Sequence, residues 1–309
     1  MEFNSIPELF DYFKDEQTCI SYFEKIRWPD GVVCPHCDHK KVYKTNRGYK
    51  CANSKCYKKF SVKSGTIFEN TKISLKYWFV AIYLCTAHKK GISSLQLHRD
   101  LKIGRRTAWH LLHRVRELLK DKSFNMLKNV VQADETYVGG KYKNKHKSKR
   151  QEGGQGRSGK DKTPVIGLYE KDGKVIAFVV KNTEGIILKP IIRKYVDKKA
   201  TLVTDAYRSY KGLEKEFHHV VVKHADKENY VVDNKFHTQN IENFWSIFKR
   251  GIVGIYHYVS AKHLQRYCDE FSARYNTRNM QDGERFDEFL SQWNRQLKFE
   301  TLIQIKIAA

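Results

Sequence analysis

Apolar positions along the chain follow two rhythms. The N-terminal part repeats at helical spacing: Phe10 and Phe13, then Ile20, Tyr22, Phe23 and Ile26, form a rough stripe that Pro29-Asp30-Gly31 breaks. LKYWFVAIYLCTA, Leu75 to Ala87, is apolar almost throughout and predicts a buried helix. After it, Ser93 or Ser94 can cap a helix, Lys102-Ile103-Gly104 makes a turn, and a second helix from Arg105 turns Trp109, Leu112, Val115 and Leu119 inward. That layout is helix-turn-helix. From Asn129 the rhythm changes to short β-prone runs, VVQADETYV, PVIGLYEKDG and KVIAFVVKN, the last two joined by a Lys171-Asp172-Gly173 hairpin turn. A helix from about Glu184 to Val196, strands at ATLVTDA and HHVVVKH, and helices at NIENFWSIFKR and SAKHLQRYCDEFSARYN follow. The pattern is mixed α/β (α+β), with five segments: a helical start (1–30), a cysteine-rich module (31–70), a helical region (71–125), a mixed domain (126–280) and a helical extension (281–309).

Charge narrows the partner. The 309 residues carry 58 Lys plus Arg against 34 Asp plus Glu, a net +24, and so large an imbalance points to a polyanion. Nucleic acid leads and an anionic membrane surface is the rival, but no apolar window approaches the roughly 18 to 20 residues that span a bilayer. The opening MEFNSIPELFDYFKDEQ has acids where a secretory signal would carry cations and a long apolar run, so a cytoplasmic protein is expected. In such a reducing compartment the seven cysteines bind metal or pack. Cys34-Pro-His-Cys37 and Cys51-Ala-Asn-Ser-Lys-Cys56 can offer four thiolates to one structural Zn²⁺, replacing the core that so small a module lacks. His36 and His39 are alternative ligands or plain surface histidines, whereas Cys19, Cys85 and Cys268 read as core fillers.

Acids stand where apolar runs end. Asp134 and Glu135 close one β-prone run, and neighbouring strand residues point to opposite faces, so they cannot both serve one site. Asp205 ends a second run, and the right sheet order would bring two carboxylates together. On the NIENFWSIFKR helix, Ile241, Phe244, Trp245 and Phe248 form the apolar stripe, with Glu242 and Lys249 at its margin on nearly one line. Three gathered carboxylates repel one another and persist where divalent cations neutralise them. Two Mg²⁺ or Mn²⁺ ions about 3.5 to 4 Å apart suit an in-line phosphoryl displacement. Arg99, Lys102, Arg105, Arg106, His110, His113 and Arg114 surround the second helix of the helix-turn-helix as candidate DNA contacts. Arg250 joins them from the Glu242 helix. The Lys141 to Thr163 stretch, basic and glycine-rich, is either a solvated insertion or a phosphate-contacting arm.

The segments KKFSVKSGTIFE, ADETYVGGK, TDAYRSY and IENFWSIFKRGIVGIYHYVSAKHLQRYCDEFSARYNTR resemble those of bacterial insertion-sequence transposases with an N-terminal zinc ribbon, a helix-turn-helix and a DDE domain, a group related to the eukaryotic Merlin elements. The resemblance implies an RNase H-like fold for 126–280 and a cut-and-join reaction on double-stranded DNA, at terminal inverted repeats and at a target. It also implies a homo-oligomer on DNA, with the protein nucleoid-associated when bound. It casts Asp134, Asp205 and Glu242 as catalytic acids, Asn243 as the alternative third ligand, Lys249 as a phosphate contact, and His237 and Asn240 as accessory residues. A non-catalytic DNA-binding regulator and a nuclease that hydrolyses without joining are the competing readings.

Overall fold

The computed structural model describes residues 3–120, 125–140, 146, 162–223, 231–232 and 235–304. They fall into two compact units, one of Met1–Leu119 with Asn279–Gln304, the other of Lys120–Arg278.

In the first unit, α1 (Ile6–Tyr12) and α2 (Glu16–Arg27) are capped by Ser5 and Asp15, whose side chains accept N–H bonds from Glu8 and Thr18. A small antiparallel sheet follows, made of β1 (Val42–Thr45), β2 (Gly48–Cys51) and β3 (Lys59–Phe60). Helix α3 (Leu75–Ala87) is buried over most of its surface, as its unbroken apolar run requires. Ser93 caps α4 (Ser94–Leu101), Lys102 ends it in the left-handed conformation, and α5 (Arg105–Leu118) starts after Gly104.

The segment 281–309, expected as a separate extension, folds through Gln304 into this same unit. Phe286 is fully buried against Phe3, Phe13 and Phe79, the ring of Phe3 lying 5.3 Å away edge-on. The Trp293 carbonyl accepts the Ile67 N–H at 2.9 Å, and Arg295 Nη1 donates to the Glu117 carbonyl at 2.5 Å.

Burial corrects the reading of α5. Leu112, Val115 and Leu119 are buried and Trp109 half-buried, as expected. Arg114, however, is not a DNA contact: it is 8% exposed, its guanidinium donates to the Ile67 and Glu69 carbonyls, and it lies 4.9 Å above the Trp78 ring. Burial lowers its pKa to about 10, so it stays charged at neutral pH. His113 is wholly buried, and His110 is half-buried beside Phe299, with burial holding its pKa down. One face of α5 is therefore a packing face, and its cations there serve the core. Arg99, Lys102, Arg105 and Arg106 remain exposed.

The second unit is built on a five-stranded sheet. Its strands are β4 (Val130–Val138), β5 (Thr163–Glu170), β6 (Val175–Val179), β7 (Thr201–Asp205) and β8 (His218–Val222), in the order β6-β5-β4-β7-β8. The first three pair antiparallel, while β7 and β8 run parallel to β4, the arrangement of an RNase H-like fold. Helix α6 (Gly185–Tyr195) covers one face with Val131, Ala133, Ile166, Leu168 and Leu202 beneath it. Helices α7 (Gln239–Gly251) and α8 (Ala261–Asn276) cover the other, over Val138, Val165, Tyr169 and Ala177. Cys268 is buried there, as Cys19 and Cys85 are in the first unit. Of the Lys141 to Thr163 arm, all but His146, Lys162 and Thr163 lies outside the described residues.

Gly167, in the middle of β5, sets how close α7 comes to the sheet. A Cβ there would stand 2.5 Å from Trp245 Cζ2 and 2.8 Å from Ile241 Cδ1, so the helix rests directly on bare backbone. Gly167→Ala should destabilise the second unit by roughly 1 to 3 kcal/mol through overpacking, read as a lower denaturation midpoint with an unchanged m-value.

Candidate active site

The sheet register brings two acids together. Parallel β4 and β7 pair Val131 with Leu202 and Gln132 with Val203. Asp134 and Asp205 each lie two residues further on, so they share a sheet face on adjacent strands where the pairing ends. On that same face the Gln132 side chain accepts the Ile241 N–H at 3.1 Å, fastening the first turn of α7 to β4. The next residue on the helix is Glu242. The outcome is an open cleft of about 570 Å³ lined by Asp134, Asp205 and Glu242 together with Lys162, Thr238 and Lys249.

Asp205 and Glu242 are held differently. Asp205 Oδ1 accepts the Tyr207 N–H at 3.0 Å, and Glu242 Oε1 accepts the Thr238 hydroxyl at 2.8 Å. The carboxylates line one cleft, but among the described residues only the four cysteines already draw their ligand atoms within 4.8 Å of one another. Glu242 and Lys249, both exposed, border the cleft from the same side of α7. Asn243 does not line the cleft, so of the two candidate third ligands Glu242 is the one at the cleft. His237 and Asn240 do not line it, and Arg250 bonds Ser246 on its own helix at 2.7 Å.

Glu135 borders the cleft too, yet it belongs to the other sheet face, beside Tyr210. Burial pushes its pKa up to about 8, with the charges of Asp134 and Asp205 adding to the rise. The Tyr210 hydroxyl counters them, although neither Glu135 Oε1 nor Tyr210 Oη has a partner at hydrogen-bonding geometry among the described residues. At neutral pH Glu135 is therefore mainly protonated and adds little charge to the cleft.

In the other unit, Cys34 and Cys56 bring their sulfurs to 3.9 Å, and Cys37 and Cys51 to 3.6 Å. Asp38 and Tyr57, each following the second cysteine of its pair, both take positive φ, so the two knuckles turn alike despite their unequal lengths. His36 is exposed, and His39 contributes its carbonyl to the Cys34 N–H, so neither belongs to the cluster. Four thiols at this spacing suit a tetrahedral Zn²⁺.

Residues 126–276 match the family model of the ISXO2-like transposase domain, and residues 14–59 that of the transposase zinc-ribbon domain. A transposase-like protein of Haemophilus influenzae is 32% identical over 104 residues, 33% of this chain and 81% of that protein. The chain belongs to the ISXO2-like transposases. A protein in the transposable element ISH50 of Halobacterium salinarum is 27% identical over 276 residues, 85% of this chain and 91% of the relative. The ISXO2-like transposase thus pairs a DDE-type domain with a zinc ribbon, and no helix among its described residues is long and apolar enough to cross a membrane.

Several residues of this transposase site escaped the sequence reading. Gln132 and Thr238 carry no local signal, because their roles depend on partners set by the tertiary fold, whereas Lys162 belongs to the basic stretch expected as a candidate phosphate-contacting arm. Gly167 did carry one, a glycine inside an otherwise apolar strand, which marks a close backbone approach. Elemental analysis should find one zinc per chain. Cys34→Ser or Cys51→Ser should release it and melt the ribbon, read as lost amide protection over residues 34–60, since metal binding and folding are coupled in such modules.

Proposed function

We propose that this transposase cleaves DNA at the ends of its insertion sequence and joins the freed ends to target DNA, with Asp134, Asp205 and Glu242 holding two Mg²⁺ or Mn²⁺ ions. The observation that carries the reading is the convergence of three carboxylates, from β4, β7 and α7, on one cleft that also presents Lys162 and Lys249. The donor set fits a hard cation: it is all oxygen, and Glu242 is exposed on a helix at the cleft, where its carboxylate accepts the Thr238 hydroxyl. Bound cations would neutralise the acids and stabilise the charge that builds on a phosphate during in-line displacement.

The chain's own groups supply the rest. Asp134 sits in the middle of β4, paired with Gly167 of β5, and Asp205 at the end of β7, paired with Val222 of β8, which makes them the rigid half of the site. Lys249 and Lys162 are placed to hold DNA phosphates at the cleft. In the first step water hydrolyses a phosphodiester and frees a 3′ hydroxyl; in the second that hydroxyl attacks a target phosphodiester, making one bond and breaking one. The exposed Arg99, Lys102, Arg105 and Arg106 at the helix-turn-helix hold the terminal inverted repeat, and a homo-oligomer pairs the two ends, in the cytoplasm on nucleoid DNA.

Asp134→Asn, Asp205→Asn and Glu242→Gln should each lower Mg²⁺-dependent cleavage of a duplex bearing the DNA that flanks the gene by on the order of 10³-fold, with end binding retained. Full activity in any one of them removes that residue from the site. Joining of labelled ends to a plasmid separates a transposase from a nuclease that stops at hydrolysis, and binding without cleavage in either metal marks a regulator.

The two classes of arginine should part in a second assay. Arg106→Ala should weaken DNA binding and reduce the slope of log affinity against log salt by about one, with thermal stability unchanged. Arg114→Ala should instead lower the melting temperature, because it leaves the Ile67 and Glu69 carbonyls without their donor.

A further inference from the structure

Three hydroxyls stand in a row at one end of the cleft. Tyr137 Oη lies 3.0 Å from Thr183 Oγ1, which lies 3.1 Å from Tyr207 Oη. Tyr137 comes from the far end of β4 and lines the cleft, whereas Tyr207 follows Asp205 and gives that acid its backbone N–H at 3.0 Å. Thr183, in the β6–α6 connection, is 8% exposed, and the Ser209 hydroxyl holds its carbonyl at 2.7 Å. The middle of the row is therefore fixed and shielded from water.

Proton counting decides what such a row can do. Three hydroxyls own three protons, and two hydrogen bonds between them consume two, so one O–H always points out of the row. When Tyr207 donates to Thr183 and Thr183 to Tyr137, the outward proton is the one on Tyr137, at the cleft. A neutral donor there can bind an anionic oxygen without adding a positive charge that would compete with metal cations for Asp134 and Asp205.

We propose that Tyr137 donates its hydroxyl proton to a non-bridging phosphate oxygen of the DNA strand in this cleft, with Thr183 and Tyr207 positioning that hydroxyl. The inference rests on the reading that the cleft receives DNA. It names a contact that the three acids do not provide. Tyr137 would touch substrate, whereas Thr183 would act only through it.

The test uses the full chain and a fluorescein-labelled duplex bearing the DNA that flanks the gene, carrying one methylphosphonate linkage at a time through the terminal nucleotides. Binding is followed by anisotropy. Wild type should lose about tenfold in affinity at one linkage, and Tyr137→Phe should bind unmodified duplex about tenfold more weakly while losing nothing further at that linkage. Thr183→Val should reproduce most of the Tyr137→Phe loss, the double variant should be no worse than Tyr137→Phe alone, and Thr183→Ser should restore binding.

The proposal is overturned if Tyr137→Phe binds as wild type does, or if every methylphosphonate penalty persists unchanged in it. Should Tyr137→Phe melt early, Thr183→Val carries the same linkage test. Binding keeps this result apart from the catalytic reading: inactive Asp134→Asn with unaltered Tyr137→Phe binding sinks only the phosphate contact, and active Asp134→Asn sinks only the assignment of the acids.

Discussion

Like charges gathered in one cleft repel, so Asp134, Asp205 and Glu242 can share a wall only if contacts elsewhere hold their three elements in place. Two contacts stand out. The Gln132 amide oxygen on the Ile241 N–H joins β4 to the first turn of α7 at the residues beside Asp134 and Glu242. Bare backbone at Gly167, the register partner of Asp134 on β5, lets Trp245 and Ile241 settle against the sheet. A buried hydrogen bond and a missing Cβ thus fix the height and angle from which the third acid enters. Buried apolar surface around Phe244, Phe248 and Phe271 then stabilises the arrangement against the repulsion it contains.

The two halves of the site differ in stiffness, which suits their proposed tasks. Asp134 and Asp205 ride on paired strands in the middle of the sheet, with neighbours on both sides. Glu242 rides on a helix surface, exposed and held by the Thr238 hydroxyl, and its side chain has rotamer freedom that the strand acids lack. Were a cation held at the strand pair, Glu242 could join it by a change of rotamer, with the backbone unmoved.

Much of this was legible in the sequence, where local pattern and tertiary role coincide. The α3 run and the Ile241, Phe244, Trp245, Phe248 stripe sit where their periodicity places them because burial decides each, and the Lys171-Asp172-Gly173 turn forms where Asp172 takes positive φ. Helix α5 shows the limit. Its cations look alike in the sequence, yet the first turn faces solvent while Arg114 lies over Trp78 and donates to the chain near Ile67. That division comes from the packing of α5 against residues 67–78, about 40 residues earlier in the chain, a contact that leaves no trace in local composition. The Tyr137, Thr183 and Tyr207 row was illegible for the same reason, since its hydroxyls meet across 46 and 24 residues.

The Asp134-Glu135 pair shows how one physical rule can settle two fates. Strand alternation sends the first acid to the α7 side, where the cleft is open and Lys162 and Lys249 are at hand. It sends the second to the α6 side beside Tyr210, where burial keeps it protonated around neutral pH. Had Glu135 been ionised at the cleft as well, a fourth negative charge would have stood there and added to the repulsion. A protonated Glu135 carries no such penalty. Adjacent acids in the sequence thus stand, in the fold, on opposite faces of one strand, and burial keeps the second mainly neutral.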